Sequence, residues 1–224
     1  YRAVKHWNLA VRPFQAVTRV KPIARRGKGD VKTLARNLTK AYHEGTASVT
    51  LSVGSVPSFG VQALVGDMMA YPYRCLEQTT SRAMAFLFGS GRYPAKGSAE
   101  SFPDDLAREI RASIDRLGTL QRRDGSFGLW SSAHPTEKWL TAYAADFLVR
   151  AKVAGFRVPD SLLRGALHWL RASVRGGYHS GSRNVSAAAY AHYVLARAQI
   201  GSLGKLRHFY DSYNAEFRSG MESA

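Results

Sequence analysis

One stretch of this sequence is written twice. Thr141-Ala142-Tyr143-Ala144-Ala145-Asp146-Phe147-Leu148-Val149-Arg150-Ala151 returns 47 residues later as Ala188-Ala189-Tyr190-Ala191-His192-Tyr193-Val194-Leu195-Ala196-Arg197-Ala198. Tyr, Ala, Leu, Arg and Ala recur in place. A period of that size holds two helices and two loops, the signature of a helical repeat array. Such a hairpin cannot bury both faces alone, so the repeats must stack, as an open solenoid or as a closed ring.

Apolar spacing and stop signals predict helices over residues 61–69, 75–88, 104–120, 139–153, 160–174, 185–200 and 205–217. Leu76, Thr79, Thr80, Ala83 and Leu87 give the second its apolar stripe. Pro103 followed by Asp104 and Asp105 suits a helix start, where negative charge meets the dipole. Asp160 after Pro159 reads as a cap. Gly155 and Gly201 are the expected stops of the two related helices. Residues 1–57 look extended. Thr46-Ala47-Ser48-Val49-Thr50-Leu51-Ser52-Val53 alternates as a strand does. The reading is a mainly α chain of about three helix pairs, preceded by a short β segment. Gln121-Arg122-Arg123-Asp124-Gly125-Ser126-Phe127-Gly128 resembles the turns of α/α toroids, in which inner and outer helices alternate around a ring. That favours closure, and a toroid of roughly six pairs, as the resemblance implies, would be cut near its middle.

The 224 residues are 45% apolar, enough for a real core, and carry a formal charge of +16. A charge of that size points to nucleic acid or an anionic surface when it is concentrated. Here it is spread along the chain, and only Arg25-Arg26-Gly27-Lys28 clusters, without a nucleic-acid motif around it. Nucleic acid is therefore not an expected partner. No apolar run reaches the roughly 18 to 20 residues that span a bilayer. The chain starts at Tyr1 and shows no apolar leader, so it reads as an internal piece of a longer protein.

Cys75 is the one cysteine, so no disulfide forms within the chain. A lone cysteine is ordinarily a small buried hydrophobe. Its surroundings, Tyr71-Pro72-Tyr73-Arg74-Cys75-Leu76-Glu77-Gln78, suggest more. Pro72 stops one helix and the next begins near Cys75. Positions i and i+3 share a helix face, so the Cys75 thiol and the Gln78 carboxamide can meet. Displacement of ammonia by sulfur would give an internal thioester. A helix N-terminus stabilises a thiolate leaving group, and Tyr71, Pro72 and Tyr73 can exclude water. Glu77 suits the helix start electrostatically.

Cys-Leu-Glu-Gln preceded by Tyr-Pro-Tyr resembles the thioester motif of bacterial alpha-2-macroglobulins; eukaryotic members and complement components more often have Gly where Leu76 stands. Residues 60–81 are similar to the start of their thioester domain, Trp139-Leu140-Thr141-Ala142-Tyr143 to a run in its helical ring, and residues 46–57 to the last strand of the preceding CUB-like domain. The resemblance implies a CUB-like segment over 1–57 and the N-terminal part of an α/α-toroid thioester domain over 58–224. It implies an endopeptidase inhibitor, not an enzyme. A protease cleaves a bait region outside this chain, the molecule rearranges, and a protease lysine amine attacks the Gln78 acyl carbon, expelling Cys75. Tyr71, with Tyr73 beside it, would shield the bond. Some members relay the acyl group through a histidine; His179 is the candidate here, with Asn184 the other polar residue of the same loop and His134 a weaker choice. The implied location is periplasmic or extracellular, with inner-membrane anchoring through another part of the protein. The remaining domains of the same polypeptide are the other implied partners.

Two other readings stay open on the residues alone. An enzyme on the same ring, of terpene cyclase or prenyltransferase type, would suit the Asp-Gly-Ser-Phe turn, but an Asp-x-Asp-Asp motif is absent, and Asp104-Asp105 is the nearest approach. A helical-repeat binding scaffold would leave the Cys75 segment unexplained. No metal-ligand set or cofactor motif is evident.

Overall fold

The computed structural model describes residues 29, 40, 42, 45–47, 49, 68–69, 73–89, 103–175 and 182–217, with the backbone alone for 182–184. The chain divides into two compact units, Tyr1–Leu51 and Ser52–Ala224. In the first unit, described turns lie at Gly29, Lys40 and Gly45. Thr46, Ala47 and Val49, which belong to the expected strand over 46–53, are not in a strand. The rest of the expected β segment lies outside the described residues, as does the helix expected over 61–69 except for Met68 and Met69, which are helical.

The second unit is built of helices: α1 Leu76–Gly89, α2 Asp104–Leu120, α3 Lys138–Val153, α4 Asp160–Ser173, α5 Ser182–Arg197 and α6 Leu203–Tyr213, followed by a 3-10 turn at Asn214–Glu216. The expected stripe of α1 is buried in full, Leu76, Thr79, Thr80, Ala83 and Leu87 among it. In α2, Pro103 stands at the cap position and Asp104 and Asp105 occupy the first turn, while Ile110, Ile114 and Leu117 face inward.

Helix α3 is the hub. Thr141, Ala142, every residue from 144 to 149, and Ala151 are buried, so it has packing on nearly all sides. It packs against α1, α5, α4 and, less extensively, α2, while α1 also lies on α2 and α4 on α5. Alternate helices α1, α3 and α5 thus form one layer and α2 and α4 the other, the two-layer order of an α/α toroid. Small side chains (Ala142, Ala144, Ala145, Ala151) let the hub be approached closely, and Phe147 fills the core completely buried, a burial worth about 2 kcal/mol. Helix α6 packs on the start of α5 through Phe209, Val185 and Ala188.

The helix stops explain where expectation and structure part. Helix α3 ends on Gly155 at φ +91°, with Phe156 N–H donating to Ala151 C=O at 3.0 Å, a Schellman closure. Its repeat copy α5 is displaced three residues toward the N-terminus from the expected 185–200. There Gln199, not Gly201, takes the left-handed turn at φ +61°, and Ile200 N–H closes on Leu195 C=O at 3.0 Å. Gly201 has a packing role instead: a Cβ there would lie 2.9 Å from Ala196 Cα. Asp160 is not a cap. Pro159 holds that position without a side-chain bond, and the Asp160 carboxylate accepts from Lys152 Nζ at 3.0 Å.

The Gln121–Gly128 turn packs against α4. Gly125 has φ +91°, and a Cβ on it would sit 2.2 Å from Gly165 O, so only glycine fits. Gln121 Nε2 donates to Leu162 C=O at 2.9 Å. Asp124 accepts from Ser126 N–H at 3.0 Å and Ser126 Oγ at 2.6 Å. Burial raises the Asp124 carboxyl, but the Ser126 hydrogen bonds and the Arg122 charge outweigh it and hold it below its ordinary value. It is an ionised structural acceptor, unsuited to the proton-donating role a ring cyclase would ask of it.

Candidate functional site

Cys75 is the residue immediately before α1 and is 5% exposed. Its carbonyl accepts from Thr79 N–H at 2.9 Å, the first turn of the helix. Its sulfur receives the backbone N–H of Gln78 at 3.5 Å. Sulfur here occupies the place where Ser, Thr, Asp or Asn ordinarily caps a helix. The half-buried Gln78 stands one turn along, on the face that i and i+3 residues share. Beneath them Thr80 Oγ1 bonds Leu76 C=O at 2.8 Å. Glu77 is exposed and accepts from Ser81 Oγ at 2.9 Å, a surface role at the helix start.

The polypeptide on either side of Cys75 is fastened to two consecutive carbonyls of one loop. Leu76 N–H donates to Leu129 C=O at 2.8 Å. Arg116 of α2 reaches both sides: its Nε donates to Arg74 C=O at 3.1 Å and its Nη2 to Trp130 C=O at 3.1 Å. Its Nη1 donates to Thr119 Oγ1 at 3.0 Å. Glu109, also of α2, joins Arg82 at 3.0 Å and Arg74 at 3.5 Å. The Arg82 side chain is 7% exposed; burial pushes its guanidinium below the ordinary value, with Glu109 opposing. Sequence reasoning missed this brace. Arg82 stands at i+7 from Cys75, on the same face, and was legible by spacing; Arg116 and Glu109 arrive through tertiary packing.

Of the other expected site residues, Tyr73 is 59% exposed. Tyr71 and His179 lie outside the described residues. Asn184 belongs to the first turn of α5, not to a loop, because that helix begins at Ser182. His134 is exposed, with Nδ1 3.0 Å from Ser131 Oγ and its carbonyl accepting from Arg122. Among the described residues no helix is long and apolar enough to cross a membrane.

Residues 48–192 match the A-macroglobulin TED domain. Alpha-2-macroglobulin of Escherichia coli K12 is 32% identical over 229 residues, covering 97% of this chain and 14% of that protein. The crystal structure of Salmonella alpha-2-macroglobulin reacted with methylamine superimposes with a TM-score of 0.57 at 32% identity, covering 72% of this chain and 11% of that one. Trypsin-activated alpha-2-macroglobulin from Escherichia coli gives a TM-score of 0.55 at 35% identity, covering 68% and 11%. The chain spans about one seventh of the length of the curated relative. Members of this family are protease inhibitors rather than enzymes. A Cys-Leu-Glu-Gln segment opening a helix of a two-layer helical unit, and a domain match over most of the chain, place this protein in the bacterial alpha-2-macroglobulin family.

Proposed function

We propose that this chain is the thioester-bearing part of an endopeptidase inhibitor, in which Cys75 and Gln78 form the internal bond that captures a protease covalently. The observation that carries the reading is the position of Cys75: buried at the N-terminus of α1, one turn before Gln78, with the Gln78 N–H on its sulfur. The Cys75 thiol adds to Gln78 Cδ; the C–S bond forms, the C–N bond breaks, and the thiol proton leaves with the amide nitrogen as ammonia. In the capture step an unprotonated lysine amine attacks the same carbon. The new amide forms, the C–S bond breaks, and the amine's proton passes to the departing thiolate. The amides at the start of α1 favour negative charge developing on that sulfur.

The reading of the whole protein follows from the family. Cleavage of a bait region outside this chain triggers the rearrangement that exposes the bond, and target proteases are the partners, together with the remaining domains of the polypeptide. Residues 1–57 supply the CUB-like segment and 58–224 the N-terminal part of the toroid. The location is periplasmic or extracellular, with an inner-membrane anchor carried elsewhere in the protein. Relatives reacted with methylamine and activated by trypsin support both the acyl chemistry and the trigger.

The test is an intact mass and a thiol titration of the full-length protein. The thioester costs one ammonia, about 17 Da, by the stoichiometry of acyl substitution. The Cys75 thiol should be undetectable until methylamine is added and then appear once per chain. A freely alkylatable Cys75 in untreated protein refutes the reading.

A further inference from the structure

The structure assigns to Arg116 the positioning of the reactive pair; the inference rests on the thioester reading above. Cys75 lies between two anchored neighbours. Its preceding residue is held through the Arg74 carbonyl by Arg116 Nε, and its following residue through the Leu76 amide by the Leu129 carbonyl. Arg116 closes the frame, because its Nη2 holds Trp130 C=O, the carbonyl next to Leu129. The third nitrogen, Nη1, rests on Thr119 Oγ1, whose hydroxyl donates in turn to the Arg116 carbonyl at 2.8 Å. All three guanidinium nitrogens are thus engaged, and the planar fork is fixed from its own helix.

This geometry sets the direction of the Cys75 side chain. The two peptide units flanking Cys75 are the only backbone groups whose rotation swings its Cα–Cβ bond, and both are fastened to one loop. A thiol that must reach Gln78 Cδ, one turn away, gains rate from being held near that carbon, and small misplacements of reacting atoms are costly. The acyl bond, once made, bridges the same turn and is strained or relieved by the same two peptides. A lysine in place of Arg116 keeps the charge and the aliphatic stem but presents a point donor; it cannot span Arg74 C=O and Trp130 C=O in one plane. Arg116 acts through the peptides that flank Cys75 and is a positioning residue, not a catalytic one.

The experiment compares parent, Arg116→Lys and Arg116→Gln in the full-length protein. Thioester content is read as thiol released by methylamine, and spontaneous hydrolysis as the rate at which thiol appears in buffer alone, with thermal unfolding and helix content as controls for folding. Loss of a two-carbonyl clamp should lower thioester content or raise the hydrolysis rate about tenfold. Arg116→Lys should sit nearer to Arg116→Gln than to the parent, at unchanged helix content and melting temperature. Should Arg116→Gln fail to fold, Arg116→Lys alone carries the comparison. A purely structural role would move melting and leave the buffer hydrolysis rate, measured well below melting, at the parent value; that result overturns the inference while leaving the thioester intact. A parent that shows free Cys75 thiol before methylamine overturns both the thioester reading and this one.

Discussion

The hydroxyl of Tyr190 donates to the Asp146 carboxylate across 3.0 Å, joining α5 to α3 at the heart of the repeat. Asp146 is 2% exposed and also accepts from Arg150 Nε at 2.8 Å, while Arg197 lies 3.8 Å away. Arg150 Nη2 in turn donates to Tyr193 Oη at 2.7 Å. Burial and the Asp146 charge push the Tyr190 phenol well above its ordinary value, so it stays a donor. The repeated Tyr and Arg positions are therefore the bolts between neighbouring copies, and Trp139 lies against both repeat tyrosines, 5.3 Å from Tyr143 and 5.4 Å from Tyr190.

Asp146→Ala should destabilise the helical unit by about 2 kcal/mol, because it takes the buried carboxylate away from the half-buried Arg150 guanidinium and Tyr190 phenol. Asp146→Asn, which keeps one acceptor oxygen, should cost less. Chemical denaturation of the three proteins checks the order; a variant as stable as the parent would show the network to be dispensable.

Tyr71→Gly should speed spontaneous loss of the thioester in otherwise intact protein. The family resemblance implies a lock at Tyr71, four residues before the thiol, and the other aromatic of the segment, Tyr73, is turned largely to solvent. The rate of thiol appearance in buffer reads the effect. An unchanged rate would move the shield to another domain.

His179→Ala separates two routes open to the exposed acyl group. Direct attack by an amine needs no relay, whereas an acyl-imidazole on His179 would let hydroxyls and water compete. After protease activation, the variant should match the parent in amine coupling and in the acyl half-life in water. Lost glycerol coupling or slower hydrolysis in the variant would establish His179 as a relay.

His192 gives the helical unit a pH dependence. Burial, with Lys205 adding to it, pushes this imidazole below its ordinary value, and its ring lies 5.1 Å from Phe209. The unfolded chain takes up the proton near the ordinary value of about 6.5. Stability from the neutral ring is thus fully present above that value and is lost as the pH falls through the lowered folded value. Between pH 7 and pH 5 the parent should lose more stability than His192→Phe. Parallel urea midpoints across that range would contradict this.

Much of the helical unit was legible because its signals are local. Pro103 with two aspartates fixed the start of α2, and Gly155 fixed the stop of α3. The i, i+3 spacing of Cys75 and Gln78 was readable for the same reason. What escaped the sequence depends on partners distant along the chain. Gln199 turns left-handed although Gly201 stands two residues on, because Gly201 is needed where α5 is closely approached at Ala196. Asp160 faces Lys152 rather than its own helix start. Arg116 has no motif at all; the loop that meets it gives it its meaning.

Cys75 as a helix cap has a further consequence. A thiol sulfur 3.5 Å from an amide is a poor substitute for a hydroxyl or carboxylate cap, which is ordinarily worth about 1 kcal/mol. The first turn of α1 therefore owes its closure to its surroundings rather than to its cap, since Leu76 is fully buried and its N–H is held by Leu129 C=O. Opening that turn would cost the Leu76 packing and the Leu76 N–H bond to Leu129 C=O together. Chemistry on the sulfur can thus alter the cap while the turn that carries it stays closed.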